Sequence, residues 1–181
     1  MMQGENQPTI QFNLTPLKQR HQDLFCALYS DARVMAFIGA PMSRAAVADY
    51  FQRLLKKTAQ ADSGIVYRVI EVTADQDVPQ DVGFVRLAKD NIEAKKKATR
   101  IGTMLLTDFQ GLGLAYQAQK IIMAEQSDPG QIFTAYCHRD NYCAHRLYQR
   151  LGFHNVRELI YHQHPVIQWQ REIICRKSKA V

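Results

Sequence analysis

The chain has 181 residues, of which 46% are hydrophobic and 22% charged, with 9 Gly and 6 Pro. This length and composition predict one globular domain and exclude a disordered or fibrous chain. The net charge of +6 is compatible with nucleic acid, an anionic surface or an anionic small ligand, and it does not choose among them.

The sequence predicts a soluble, cytoplasmic protein with no membrane partner. Every apolar run is interrupted well before the roughly 18 residues that a membrane span needs, and the start of the chain lacks the pattern of a secretory signal. The cysteines are scattered without the spacing of a disulfide framework, which favours a reducing compartment. They are Cys26, Cys137, Cys143 and Cys175.

The first part of the chain is predicted to contain one strand and two helices. Apolar residues alternate with polar ones over 10–14, which is the pattern of a strand with one buried face. Thr15-Pro16 predicts the N-cap and first position of a helix that ends near Ser30-Asp31. Ser43 is predicted to cap a second helix with an apolar stripe.

From Gly64 onward the residues favour strands. Runs of β-branched and aromatic residues over 65–72 and 82–87 predict an antiparallel pair, and 101–106 continues the sheet. A glycine loop, Gly111-Leu112-Gly113, then precedes an amphipathic helix that stops at Asp128-Pro129-Gly130.

The last part repeats the order of strand and helix. A strand over 132–137 is followed by a helix from about 141 to 151, which Gly152 closes. A terminal strand pair over 156–161 and 166–175 turns near Pro165.

The predicted organisation is therefore one α+β domain over residues 9–175, with a flexible N-terminus 1–8 and a basic tail 176–181. The densest basic run, Lys95-Lys96-Lys97 with Arg100, is interpreted as a solvated loop between strands. A nucleic-acid partner is not favoured because no known binding module accompanies these charges. A monomer and a homodimer are both left open.

Residues 107–115, Thr-Asp-Phe-Gln-Gly-Leu-Gly-Leu-Ala, are suited to an anion. Small residues between a strand and a helix let the backbone approach a ligand, and the unpaired N–H groups of the first helical turn point at it. A tight turn that only starts the helix explains the same glycines. Tyr116 occupies the third glycine position of a Rossmann fingerprint, and no P-loop motif is present.

Two motifs carry a family resemblance. Gln110-x-x-Gly113-x-Ala115 is similar to the loop of the GNAT superfamily of N-acetyltransferases that binds the pyrophosphate of acetyl-coenzyme A. Residues 141–153 resemble the superfamily's Asn-x-x-Ser/Ala-x-x-x-Tyr-x-x-x-Gly-Phe element, and the two motifs follow each other in the expected order. The opening Leu14-x-Pro16-Leu17 resembles the branch that acetylates ribosomal-protein N-termini.

The resemblance implies a mixed sheet of about seven strands flanked by about four helices, whose fourth and fifth strands splay apart to admit the pantetheine arm. It implies acetyl-coenzyme A as co-substrate and direct attack by a primary amine, of a protein N-terminus or a small molecule, in a ternary complex. The implied cofactor-binding residues are Leu105, Leu106, Thr107, Gln110, Gly111, Leu112, Gly113, Leu114, Ala115 and Asn141.

Tyr148 corresponds to the general acid of many relatives, although its helical spacing also suits a buried face. A thiol is a stronger acid than a phenol by about 1.5 pKa units, so full proton transfer from an unperturbed tyrosine is uphill by about 2 kcal/mol. The site must shift one of these two pKa values, or Tyr148 acts by hydrogen bonding. Asn141 can equally be the N-cap of its helix.

The general base is missing from its usual place. Many relatives carry an acidic residue before the Ile-Gly of the fourth strand, where this chain has Arg100. Glu71, Glu93, Asp108 and His138 remain candidates. At pH 7 about 0.04% of lysine side chains but roughly 10–15% of α-amino groups are neutral, so an α-amino substrate is the hypothesis.

Other features are discounted. His162 and His164 share one face of a strand, but no third ligand is indicated, so no metal site is predicted. Cys137 and Cys143 lie near the expected cofactor channel, although direct transfer needs no covalent cysteine. Arg100 at the position of the usual acidic residue, together with the net charge of +6, leaves an alternative function open. This alternative is a coenzyme A-binding or nucleic-acid-interacting module without catalysis.

Overall fold

The structure is a computed structural model that describes residues 10–60, 62–74, 78–90, 98–126, 128–161 and 163–173. Several sequence predictions therefore fall outside the described residues. They concern the terminal segments 1–8 and 176–181, Glu93, the run Lys95–Lys97, His162 and Cys175.

Within the described residues, seven strands form a single mixed sheet, in agreement with the prediction of about seven. The strands are β1 Ile10–Pro16, β2 Ile65–Ala74, β3 Gln80–Asp90, β4 Ala98–Leu105, β5 Ile132–His138, β6 His154–Tyr161 and β7 His164–Glu172. Their order across the sheet is β1-β2-β3-β4-β5-β7-β6. The pairing of β4 with β5 is parallel, and the other five pairings are antiparallel.

In the part of the chain that the structure describes, five α-helices lie on the two faces of the sheet. They are α1 Gln22–Ser30, α2 Ala32–Met35, α3 Arg44–Thr58, α4 Leu114–Glu125 and α5 Tyr142–Arg150. The four longer ones match the predicted helices, and the short α2 was not predicted. Within the described ranges, no helix is long and apolar enough to cross a membrane.

The predicted helix start at Thr15-Pro16 is wrong. Both residues belong to β1, and Pro16 is still in register with Arg68 of β2. Because β1 is an edge strand, the missing N–H of a proline costs the sheet little. The chain enters α1 only at Gln22, after a short 3-10 turn over Gln19–His21.

The other predicted boundaries agree with the structure to within a few residues. The Ser43 hydroxyl accepts a hydrogen bond from the Ala46 N–H at 3.2 Å and caps α3. Gly152 has a φ of 79° directly after α5. The third strand is longer than predicted and reaches Asp90, because its pairing with β4 continues to Ala98.

Each face of the sheet carries its own hydrophobic core. On one face, α1 and α3 pack on β2 and β3 through aromatic rings such as Phe25 and Phe51, whose centroids are 4.8 Å apart. On the other face, α4 and α5 pack on β3, β4, β5 and β7 around Ile122, Phe133 and Trp169. Full burial of each large apolar side chain contributes about 1.5–3 kcal/mol, so both cores hold the helices to the sheet.

The fourth and fifth strands splay apart, as predicted. They pair only from Ala98 opposite Ile132 to Arg100 opposite Thr134. Beyond this point β4 continues to Leu105 and β5 to His138 without pairing to each other. The resulting gap, between residues 101–105 and 135–138, is called the β4–β5 cleft below.

Candidate active site

The wide end of the β4–β5 cleft is bounded by a loop with two left-handed glycines. Gly111 and Gly113 each have a φ of 78°. A side chain at either glycine would meet no atom of the described residues within 4 Å, apart from its own chain neighbours. The backbone conformation rather than crowding therefore requires glycine, and the space beside the loop is open to a ligand.

The loop leads into a helix end that is suited to an anion. The first intrahelical bond of α4 runs from the Gln117 N–H to the Gly113 carbonyl at 3.1 Å. The N–H groups of Leu114, Ala115 and Tyr116 therefore have no partner within the helix, and the Gly113 N-cap offers no side chain to them. These donors and the helix dipole favour negative charge at this end of the cleft.

The Gln110 side chain holds the loop against the end of β4. Its amide nitrogen donates to the Leu105 carbonyl at 3.1 Å. The predicted role of Gln110 at an anion site is thus accompanied by a structural one, which fixes the loop conformation.

Three predicted cofactor-binding residues, Leu105, Leu106 and Thr107, lie at the end of β4, and of these Leu105 directs its backbone N–H into the cleft. The Leu106 N–H donates to the Val82 carbonyl at 2.9 Å, toward β3. Because successive residues of a strand direct their backbone groups to opposite sides, the N–H of Leu105 faces the cleft, while its carbonyl accepts the Gln110 amide. The Thr107 hydroxyl is 3.5 Å from the Asp31 carboxylate, which ties the following turn to α2.

On the other side of the cleft, Asn141 caps α5. Its side-chain oxygen accepts a hydrogen bond from the Ala144 N–H at 3.1 Å. This use of the oxygen leaves the two donors of the amide nitrogen for a ligand. The capping role and the predicted contact to a cofactor can therefore coexist.

Tyr148 lies on α5 beneath the cleft and is 5% exposed. Its ring packs against Phe153 at 5.5 Å and Trp169 at 6.1 Å between centroids. Burial raises the pKa of Tyr148 above its ordinary value, Cys137 raises it further, and the Gln119 amide opposes part of the increase. The hydroxyl consequently keeps its proton near neutral pH.

Cys137, the cysteine near Tyr148, has an unreactive thiol. Burial raises the pKa of the Cys137 thiol to about 11. Because the thiolate is the nucleophilic form, this thiol is a poor nucleophile near neutral pH.

A polar cluster on the α1–α3 side closes the narrow end of the cleft, and it is called the Arg100 cluster. An Arg100 guanidinium nitrogen donates to Asp90 Oδ1 at 3.0 Å, and another lies 3.4 Å from the Tyr161 hydroxyl. The other Asp90 oxygen accepts from the Tyr136 hydroxyl at 3.1 Å and from Thr134. The Asp90 side chain is 2% exposed. The prediction that Arg100 belongs to a solvated loop is wrong, because Arg100 lies in β4, where it pairs with Thr134 of β5 and bonds to Asp90.

Sequence reasoning missed Asp90, because it lies beyond the predicted end of its strand. The carboxylate reaches Arg100 only through the register of β3 with β4, and Thr134 and Tyr136 only through the parallel pairing of β4 with β5. No local sequence signal reports either relationship.

None of the predicted general bases within the described residues belongs to the Arg100 cluster. Glu71 lies on β2 and pairs with Arg20 at 2.5 Å. Asp108 is exposed in the turn after β4, at the opposite end of the cleft. His138 lies beside the cleft, but its Nδ1 accepts the Asp140 N–H at 3.2 Å, so the neutral ring carries its proton on Nε2.

One group of potential metal ligands occurs among the described residues, away from the cleft. Ligand atoms of His21, Glu71 and Asp81 lie within 4.8 Å of one another. His21 Nδ1 accepts the Lys18 N–H at 2.9 Å, which places the ring proton on Nε2, the nitrogen that faces Asp81. Arg20 bonds to both carboxylates. The group is therefore an ion-pair cluster, and burial lowers the pKa of His21.

Together these features form a cleft between two separated parallel strands that is suited to an extended ligand with an anionic end. The sequence profile of the acetyltransferase (GNAT) domain matches residues 11–154. The chain belongs to the GNAT acetyltransferase family, whose enzymes use acetyl-coenzyme A. The predicted membership in this superfamily is confirmed.

Solved structures with this fold include ribosomal-protein acetyltransferases. RimL, a ribosomal L7/L12 α-N-protein acetyltransferase in complex with coenzyme A, is 21% identical, with 90% of this chain and 94% of that chain covered and a TM-score of 0.66. An acetyltransferase from Salmonella typhimurium that modifies the N-terminal serine of L7/L12 is 20% identical, with 91% and 99% covered and a TM-score of 0.65.

A third neighbour is the microcin C7 self-immunity acetyltransferase MccE, in complex with acetyl-CoA and AMP. It is 16% identical, with 90% of this chain and 92% of that chain covered and a TM-score of 0.71. No curated protein matches the sequence significantly. At these identities the three neighbours show that the chain shares their fold.

Proposed function

We propose that this acetyltransferase moves the acetyl group of acetyl-coenzyme A to an α-amino group by direct attack in a ternary complex. The observation that carries the proposal is the β4–β5 cleft, with the Gly111–Gly113 loop at its wide end and Tyr148 beneath it.

In this proposal the diphosphate binds the free N–H groups of the glycine loop and of the first turn of α4. The pantetheine arm then lies in the cleft, beside the Leu105 backbone on one side and the Asn141 amide on the other. The order of groups in the cofactor directs its thioester away from the loop and toward the narrow end of the cleft.

The reaction needs stabilisation of an oxyanion and of a departing thiolate. The amine nitrogen bonds to the carbonyl carbon, the tetrahedral intermediate collapses, the C–S bond breaks, and the amine loses a proton to water. Because burial raises the pKa of Tyr148, proton transfer from its hydroxyl is more uphill than from a free phenol. Tyr148 therefore stabilises the thiolate by donating a hydrogen bond, and the thiolate takes its proton from solvent.

The substrate amine must reach the thioester already neutral. Arg100 replaces the acidic residue of many relatives, and Asp90 beside it is bonded to three side chains. Within the described residues, His138 has its basic nitrogen occupied by a backbone N–H. An α-amino group, which is neutral in roughly 10–15% of molecules at pH 7, suits a site in which none of the described residues is positioned as a general base.

Calorimetry with acetyl-coenzyme A, followed by thiol release with a panel of amines, tests the proposal. The panel contains N-terminal peptides, including one that begins with serine, together with polyamines, aminoglycosides and amino acids. We expect saturable cofactor binding and the fastest turnover on free N-termini. Absence of cofactor binding, or cofactor binding without turnover on any amine, contradicts the proposal.

A further inference from the structure

Gln119 is a fully buried polar side chain in the apolar core on the α4–α5 side of the sheet. It lies on the inner face of α4 with Leu114, Ala118 and Ile122, and it is 0% exposed. An amide in an apolar environment costs free energy unless its polar atoms are hydrogen-bonded. An apolar side chain would fill this position without that cost, so the presence of glutamine indicates a role for its hydrogen bonds.

The amide nitrogen of Gln119 connects β4 with α5. Nε2 donates to the Thr103 hydroxyl oxygen of β4 at 3.0 Å. Thr103 lies between Ile101 and Leu105, so its side chain is on the α4–α5 side with theirs. The Gln119 amide also hydrogen-bonds to the Tyr148 hydroxyl of α5. Because an amide nitrogen has two N–H donors, both bonds can form together.

The two polar atoms of the Gln119 amide show the direction of its bond to Tyr148. Oε1 is buried and has no hydrogen-bond partner among the described residues, so it does not accept the Tyr148 proton. The bond therefore has the Nε2–H group as donor and the Tyr148 oxygen as acceptor. The pKa of Tyr148 agrees with this direction, because Gln119 lowers it and a donor to the phenolic oxygen favours the phenolate.

This arrangement leaves the proton of the Tyr148 hydroxyl for another partner. A phenolic hydroxyl has one proton, which turns about the C–O bond to suit its surroundings. Because the donor of Gln119 occupies the oxygen, the hydroxyl directs its proton away from Gln119. The Thr103 hydroxyl in turn holds the amide nitrogen in place.

From this geometry we infer that Gln119 is a positioning residue, which donates to the Tyr148 oxygen and so directs the hydroxyl proton to the sulfur of the departing thiolate. Gln119 is buried and acts only through Tyr148. The inference rests on the proposed function, in which Tyr148 stabilises that thiolate by donating a hydrogen bond.

Gln119→Met tests this inference, because methionine is similar to glutamine in length and volume but has no hydrogen-bond donor. We expect kcat to fall about tenfold, while the affinity for acetyl-coenzyme A measured by calorimetry stays within about twofold of wild type. In a Tyr148→Phe background the same substitution should change kcat by less than about twofold, because the oxygen that Gln119 holds is then missing.

Ile122→Val is the control for altered packing of α4. Ile122 is 1% exposed on the same face of the helix, and the substitution removes one methylene and no polar atom. We expect it to leave kcat within about twofold of its parent in both backgrounds.

A second variant changes the network without changing Gln119. Thr103→Val keeps the shape of the side chain and removes the hydroxyl that holds the amide. We expect it to lower kcat about threefold when Tyr148 is present and to have no effect in the Tyr148→Phe background.

A binding measurement without turnover separates this inference from the proposed function. Calorimetry at about pH 9 compares coenzyme A, whose thiol is then largely ionised, with desulfo-coenzyme A, which lacks the sulfur. We expect the wild-type protein to bind coenzyme A about fivefold more tightly than the desulfo analogue. Gln119→Met and Tyr148→Phe should each lose this difference.

An equal loss of kcat from Gln119→Met in both backgrounds, or no loss in either, overturns the inference. A preference for coenzyme A over the desulfo analogue that survives in Gln119→Met, or that the wild-type protein lacks, overturns it as well. If no amine is turned over, the proposed function fails, but the comparison of the two ligands still decides the role of Gln119. If Gln119→Met does not fold, Thr103→Val decides that role in the same measurements.

Discussion

The two ends of the β4–β5 cleft are built in different ways. At the wide end, the groups that face the cleft are backbone N–H groups of consecutive residues, positioned by Gly111 and Gly113. At the narrow end, they are the side chains of Arg100, Asp90 and Tyr161, which come from three different strands. A site made of backbone depends on local conformation, whereas a site made of side chains depends on how distant strands are registered.

The largest expected effect concerns the choice of amine at the narrow end. A peptide with a free N-terminus and no lysine is compared with the same peptide blocked at its N-terminus and carrying one lysine. We expect kcat/KM at pH 7 to favour the free N-terminus by about two orders of magnitude, because the neutral fractions differ by roughly that factor. The value for the α-amine should rise about tenfold per pH unit and level off near pH 8. Faster turnover of the lysine peptide would contradict the proposed preference for α-amino groups.

Tyr148→Phe tests the chemistry between the two ends. We expect kcat to fall on the order of 100-fold, because the departing thiolate loses its hydrogen-bond donor. Affinity for acetyl-coenzyme A, measured by calorimetry, should stay close to wild type, and the free energy of unfolding should change by about 1 kcal/mol. Tyr116→Phe is the matched control, since the Tyr116 ring packs under Arg150 at 4.1 Å and the substitution keeps the Tyr116 N–H of the first turn of α4. Equal activity of both variants would remove Tyr148 from the mechanism.

Gly113→Val tests the backbone site at the wide end. A β-branched residue is strained at a φ of 78°, and we expect affinity for acetyl-coenzyme A to fall about tenfold or more. Gly130→Val, at a φ of 79° before β5, is the control for strain alone. The control should lose a comparable free energy of unfolding and keep its affinity, as measured by urea titration and calorimetry. Unchanged affinity in Gly113→Val would argue against the loop as the anion site.

The smallest expected effect lies outside the cleft, at the ion-pair cluster of His21, Glu71 and Asp81. Burial holds the pKa of His21 below its ordinary value of 6.5, so the folded protein binds fewer protons than the unfolded chain as the pH falls below about 6.5. The free energy of unfolding should therefore decrease in this window, by at most about 1.4 kcal/mol per pH unit from this group.

Urea titrations at several pH values measure this dependence. His21→Gln should flatten it, because glutamine can still accept the Lys18 N–H but does not titrate near this pH. The exposed His154→Gln serves as control and should leave the slope unchanged. An equal slope in wild type and His21→Gln would assign the pH dependence to other groups.

Local signals predicted most of the elements correctly. Ser43 and Asn141 cap their helices as expected, and the strand run over 101–106 differs from β4 by a few residues. The helix predicted at Thr15-Pro16 was wrong because pairing with β2 extends the edge strand, and a propensity signal cannot report a partner strand.

The sequence by itself determined the family, the order of strands and helices, and the loop that we propose binds the diphosphate. Each of these depends on residues that are close in the chain, where spacing and backbone preference act directly. Only the tertiary structure decided that Asp90 neutralises Arg100 beside Tyr136 and that burial keeps Tyr148 protonated. Hydrogen bonding and desolvation depend on distances across the sheet, which are fixed by strand register and helix packing rather than by neighbouring residues.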